Sequence, residues 1–379
     1  MKTKRLIVTL LVFAIMATTL FGCSSSNTPT TQPTDNIQSQ PPSSPPVSDP
    51  TPSQTTSDAE QITVIDDAGH EANLTPPITR VVVVDSGPGA ALSALGVTEL
   101  IVGNHTSLTN ALFDTIADVP VVATNSEINY EAIAEAEPQL VISATSHHGF
   151  ISEGDHLDDF GIEFIALDLR TPSRMRDDFR LLGKVFQKEA EAQKVIDFYD
   201  KYQSLIDERL AGVAEEDRPT VFLEMHAGAY HTGSPESQFY QQIELAGGRN
   251  VADDLADNPL ADDVEVSAEW VAEKNPDYIV RETSPLRYTA TTADDAIVIY
   301  DEIMARPGLA TVTAIKEGNI FMIGNDIFSR PGYIVGICYL AKEFHPDLFE
   351  DLDPDAVLAE WFELAYPGKP VGGVWTYSK

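Results

Sequence analysis

Three arginines and four histidines carry most of the chemistry this chain offers. Arg281, Arg287 and Arg330 fall among the aromatics Tyr230, Tyr288, Phe328 and Tyr333 in the second half of the sequence. A guanidinium grips carboxylates or catecholates bidentately and stacks on rings, so this set suits a bulky, anionic, planar-sided ligand. Each arginine could equally close a structural ion pair. His105, His147, His226 and His231 could bring imidazoles to an iron or cobalt centre. No helical histidine pair or cysteine cluster accompanies them, so they are read as polar lining and no metal is assigned. Ser86-Gly87-Pro88-Gly89 follows a strand but lacks the lysine of a P-loop; it reads as a tight turn whose N–H groups could face an anion. No nucleophile elbow, phosphate-cradling glycine loop or supported acid–base pair occurs, so an enzyme is not expected.

These residues need a scaffold, and the hydrophobic pattern supplies one. Arg80 to Asp85 (RVVVVD) is a β-branched run of the kind buried in a parallel sheet. Strand and helix then rotate through the strands Leu100–Gly103, Leu140–Ser143 and Glu163–Asp168, which predicts a parallel α/β lobe. From Glu189 to Leu210 one helical pattern runs unbroken, roughly 30 Å long and more than a crossover needs. The rotation restarts with strands at Thr220–Met225, Tyr278–Arg281 and Ile320–Ile323. The expected architecture is two lobes joined by one long helix, with 60–172 the first lobe, 173–212 the connection and 213–379 the second lobe. Ligands of open α/β sheets sit beyond the carboxyl ends of the strands. That places Ser86, Gly87, Pro88, Asn104, His105, Ser146 and His147 on one wall of a cleft. The opposite wall takes His226, Tyr230, His231, Arg281, Arg287, Tyr288, Phe328, Arg330 and Tyr333.

The segments ITVIDDAGHEANL, RVVVVDSGPGAALSALG, NYEAIAEAEPQLVIS, ELAGGRNVADD, SAEWVAEKNPDYIV and ARPGLATVTAIKEGNIFMI are each weak signals. In this order and spacing they resemble the substrate-binding proteins of ABC importers for cobalamin, haem and iron–siderophore complexes. The resemblance implies two Rossmann-like α/β lobes bridged by a rigid helix, and a metal complex carried as cargo without a resident cofactor. It also implies a monomer that hands its ligand to an ABC permease dimer powered by cytoplasmic ATPases. Glu131 and Glu269 match the family's glutamates that dock onto permease arginines, one per lobe, although a carboxylate at a helix start also complements the helix dipole. Two alternatives accompany this reading. The scaffold could bind a metal oxyanion such as molybdate or tungstate, or it could serve as an adhesion or signalling lipoprotein.

The N-terminus and the charge bound the location. Lys2, Lys4 and Arg5 precede an apolar run from Leu6 to Leu20, and Leu20-Phe21-Gly22-Cys23 closes it. This resembles a lipoprotein signal over residues 1–22, with Cys23 lipidated and the chain tethered to the outer face of the cytoplasmic membrane. Residues 23–59, rich in Ser, Thr and Pro, read as a solvated tether. Lys and Arg number 24 against 59 Asp and Glu, a net charge of −35, which makes nucleic acid an implausible partner. With 2 cysteines, one of them the anchor, no disulfide framework is expected, and Cys338 reads as a small core residue.

Overall fold

The computed structural model describes residues 61–145, 157, 160–235, 237–255 and 263–379. The signal and tether segments, Cys23, Ser146 and His147 lie outside these.

A hairpin of β1 (Ile62–Ile65) and β2 (Glu71–Leu74) opens the described chain. Its turn is held by Asp66, which accepts from the N–H groups of Ala68, His70 and Ala166. The first lobe follows as a parallel sheet of β3 (Val81–Val83), β4 (Ile101–His105), β5 (Val121–Ala123), β6 (Leu140–Ala144) and β7 (Glu163–Leu167), in the order β5-β4-β3-β6-β7. Val81, Val82 and Val83 of the middle strand are fully buried, as a strand covered on both faces must be. Helix α1 (Ser86–Ala94) leaves the end of β3, and α2 (Tyr130–Glu135) leads into β6.

Two helices packed side by side connect the lobes. α3 (Pro172–Phe186) closes with Gln187 in the left-handed conformation, and α4 (Glu189–Leu210) carries the chain to the second lobe. A Cβ on Gly183 would meet the Ala192 Cβ at 2.8 Å, so glycine sets how closely α3 and α4 approach. The second sheet contains β8 (Thr220–Glu224), the short β10 (Arg249–Asn250), β12 (Tyr278–Thr283), β13 (Ile320–Gly324) and β14 (Thr376–Tyr377), ordered β10-β8-β12-β13-β14. Among the described residues only β14 runs antiparallel to its neighbour in that sheet, and β9 (His231–Thr232) and β11 (Val264–Glu265) pair apart from it. The Gly247-Gly248 pair, with Gly247 at φ +86°, lets α5 (Gln238–Leu245) end against Leu210 and so seats the far end of α4.

The lobes share more than one helix. One apolar core runs from Val83 and Leu92 through Tyr199 and Ile206 of α4 into Leu223 and Phe344 of the second lobe. After α7 (Asp294–Met304), α8 (Thr313–Glu317) and α9 (Tyr333–Phe344), α10 (Pro354–Ala365), started by the Asp353 cap and Pro354, belongs in sequence to the second lobe but packs on α1. Ser93 donates to the Ala365 carbonyl at 2.6 Å, and Tyr366 meets Phe113 edge-on. A bridge and a brace therefore fix the lobes, where the sequence pattern called for a bridge alone.

Candidate functional site

A cavity of about 360 Å³ lies between the lobes at the carboxyl ends of the strands. The first lobe lines it with Asp85, Ser86, His105, Ser107, Asn125 and Arg170. The second lobe contributes Met225, His226, Gln238, Phe239, Glu282, Asn325, Ser329 and Arg330.

Asp85 is the hub of the first wall. Its Oδ1 accepts from the Gly87 N–H at 2.8 Å and caps α1. Arg170 of the same lobe reaches Oδ2 at 3.5 Å, and Arg330 of the opposite lobe reaches Oδ1 at 3.4 Å. Arg170 sits in a turn built to hold it. Leu169 adopts φ +47°, its N–H donates to Asp178 at 2.7 Å, and the Asp168 N–H donates to Asp67 at 2.8 Å. Burial, reinforced by the adjoining Asp67 carboxyl, pushes Asp178 up to about 9, so it stays protonated at neutral pH. His105 at the end of β4 is fixed as well: the Ser107 N–H donates to its Nδ1 at 3.2 Å. In the neutral ring the proton therefore resides on Nε2, and His105 acts as a donor there.

The second wall turns on Glu282, which is fully buried on β12. Burial alone would raise its pKa, but His226, whose Nδ1 lies 2.7 Å from Oε2, and the Ser329 hydroxyl on Oε1 together hold it below the ordinary value. The carboxylate anchors His226 through Nδ1, which leaves Nε2 of a neutral ring to accept a proton or ligate a metal. Arg330 is anchored by its neighbours: Tyr199 of α4 donates to the Pro331 carbonyl at 2.7 Å, and Arg176 of α3 donates to the Tyr333 hydroxyl at 3.3 Å. Its Nε is buried without a hydrogen-bond partner among the described residues.

Ser86, His105, His226 and Arg330 thus meet in one cavity, as the strand-end rule requires. Ser146 and His147 fall outside the described residues, and the other expected residues do not line this cavity. Gly87 and Pro88 form the first turn of α1; the Gly87 N–H is taken by Asp85 and proline has none, so no anion nest opens there. Asn104 is buried within β4 and donates to the Val119 carbonyl. Arg281 is spent on Glu224 at 3.1 Å and on the carbonyls of Met225 and Gly228, which shapes the loop carrying His226. Tyr230 lies under Arg306, and His231 pairs with Asp263 at 2.6 Å. Tyr288 stacks on Phe362, while Phe328 and Tyr333 are buried in the core against Phe239 and Tyr199. Arg287 is exposed, and its backbone forms an isolated β-bridge with Val374. Apart from Phe239 the aromatics have gone inward, and what remains is a small polar chamber. Sequence reasoning missed Arg170, Ser107, Asn125, Gln238 and Phe239, and gave Asp85, Met225, Glu282, Asn325 and Ser329 no role. Several follow the ends of parallel strands, the one signal that could have drawn them out.

Glu131 and Glu269 occupy matching places, each the second residue of its helix, α2 and α6 (Ala268–Lys274). Asn129 and Ser267 cap these helices by accepting from Ala132 and Trp270. Both carboxylates are exposed and neither forms an ion pair among the described residues. Cys338 is fully buried, and burial pushes its thiol up to about 12, away from reactivity.

Comparison with known proteins agrees with this fold. The family model described as periplasmic binding protein matches residues 81–327. The chain is 22% identical over 268 residues to the molybdate-binding protein MolA of Haemophilus influenzae, spanning 64% of this chain and 70% of that one. The structure of MolA bound to molybdate superposes with a TM-score of 0.68 at 19% identity, over 82% of this chain and 99% of that one. A TroA-like periplasmic binding protein, FepB of Veillonella parvula, gives 0.69 at 24% identity over 84% and 99%. CeuE of Helicobacter pylori, in a nickel–histidine complex, gives 0.66 at 17% identity over 82% and 97%.

Proposed function

Because the chain belongs to the periplasmic binding protein family, the non-enzymatic substrate-binding proteins of ABC transporters, we propose that it captures a small metal oxyanion of the molybdate or tungstate class between its lobes and delivers it to a permease. The observation carrying this reading is the convergence of Arg170 and Arg330, from opposite lobes, on one acceptor in a chamber of about 360 Å³. That volume is near the lower end of the roughly 300–1,000 Å³ common for ligand pockets. Ser86 and the Nε2–H of neutral His105 add donors on the first wall, and guanidiniums with neutral donors suit tetrahedral oxygens. The likeness to a molybdate-binding protein points the same way. Haem, a corrinoid or a broad siderophore would want the aromatic walls that Phe328 and Tyr333 do not provide.

A second reading has its own observation. Glu282 holds His226 by Nδ1, the arrangement that readies the other nitrogen for a metal, so a small metal chelate is the competing cargo. In either case Glu131 and Glu269 would each dock one lobe on the permease, and Cys23 would carry the lipid that keeps the protein at the extracytoplasmic face of the membrane.

Thermal unfolding against molybdate, tungstate, sulfate, a ferric siderophore, haem and cobalamin tests this. At 100 times its dissociation constant a ligand adds about 2.7 kcal/mol to the folded state. A shift with molybdate or tungstate supports the oxyanion reading. A shift confined to the metal complexes replaces it with the chelate reading.

A further inference from the structure

Asp85 is an unexpected lining residue for an anion site, since a fixed carboxylate repels the ligand the arginines would attract. Its placement resolves the conflict. It touches both arginines that an oxyanion would need, one from each lobe, and both contacts are long: 3.5 Å to Arg170 and 3.4 Å to Arg330. The two guanidiniums keep 22% and 23% of their side-chain surface, so they are open to exchange. The carboxylate does not depend on them for its place, because it also caps α1 through the Gly87 N–H. Losing Arg330 would leave it capped and still beside Arg170.

We propose that Asp85 is a resident anion: in the empty protein it latches the lobes together through Arg330, and an incoming oxyanion takes over that guanidinium. Asp85 then sets a threshold for the cargo. A dianion that binds both arginines outcompetes one carboxylate already in place, whereas a monoanion such as nitrate or acetate gains too little to displace it. This rests on the oxyanion reading of the cleft, but the latch can be examined without any ligand.

The experiment compares the wild type with Asp85→Asn, a substitution that keeps a capping acceptor and removes the charge. Nitroxides on Val121→Cys and Val298→Cys, both exposed and in different lobes, report the interlobe distance by pulsed electron resonance, with Cys23→Ser to avoid a third label. Molybdate, sulfate and nitrate are titrated in parallel by calorimetry. The latch predicts a longer or broader interlobe distance in ligand-free Asp85→Asn, oxyanion affinity raised on the order of tenfold, and nitrate binding that the wild type lacks. Unchanged distances together with unchanged or weaker affinities overturn it. Should Asp85→Asn fold poorly, Arg330→Gln removes the other half of the latch, and an unchanged distance there is equally fatal. If the variant opens the lobes while wild type and variant both ignore every oxyanion, the latch survives and the proposed cargo does not.

Discussion

At the end of its first parallel strand each lobe places a carboxylate between two guanidiniums, Asp85 after β3 and Glu224 at the end of β8. In the second lobe Arg306 grips both oxygens of Glu224, with one contact at 2.8 Å, and Arg281 adds a third at 3.1 Å. Glu224 is fully buried there, the arginine side chains are 10% and 14% exposed, and both come from the same lobe. The Asp85 contacts are longer, its arginines are twice as exposed, and one crosses the cleft. The same trio of charges thus serves two ends: tight, dry and local contacts give a scaffold for the His226 loop, whereas loose, more exposed and interlobe contacts give a site where a ligand can exchange.

The strongest way to break this contrast is to remove the scaffold carboxylate. Glu224→Gln leaves two buried guanidiniums short of a charge, and the expected cost is about 3–5 kcal/mol in urea unfolding. A loss under about 1 kcal/mol would mean the second clasp is no firmer than an exposed pair.

The connecting helix and the second lobe should also answer pH in opposite senses. Asp178 of α3 has a folded pKa of about 9, above its ordinary value of roughly 3.9, so the folded state binds the proton more tightly. Its contribution is greatest at low pH and drains away as pH rises from about 4 to about 9. Glu282 of the second lobe is held below its ordinary value, so its contribution is present above roughly pH 4.3 and is lost as pH falls through the lowered pKa. Unfolding measured from pH 3 to 10 should show Asp178→Asn flattening the decline between about pH 4 and about pH 9 and Glu282→Gln removing a decline on the acid side. If both variants follow the wild-type pH profile, the two carboxyls are not tuned as described.

The smallest stability effect is expected at the matched pair Glu131 and Glu269. Alanine at either should shift stability by no more than about 0.5 kcal/mol and leave ligand affinity alone. Uptake through the permease should fall for each, and uptake that persists with both replaced would reassign them to helix capping alone.

The sequence made the scaffold legible and the site only partly so. β-branched runs, proline breaks and an unbroken helical stretch placed the strands and the bridge because burial and backbone sterics act locally. α10 went unread although Asp353-Pro354 and the apolar Val357, Leu358, Trp361 and Phe362 signal a helix, and nothing local signals its packing on the other lobe. Arginines are where the reading failed, since Arg281 and Arg170 look alike in sequence. Pleat parity held a clue: Arg281 and Glu282 are consecutive on one strand, so they point to opposite faces and only one could line the cavity. Tyr333 likewise shares a helical stripe with Ile337 and Leu340, and that marks it as core.

The account depends most on Arg330. Calorimetric titration of molybdate into the wild type and Arg330→Met measures its role directly. Binding to the wild type, weakened on the order of 10–100-fold in the variant with little change in stability, is the predicted result. Equal affinity in both proteins would contradict an oxyanion clamp across the lobes.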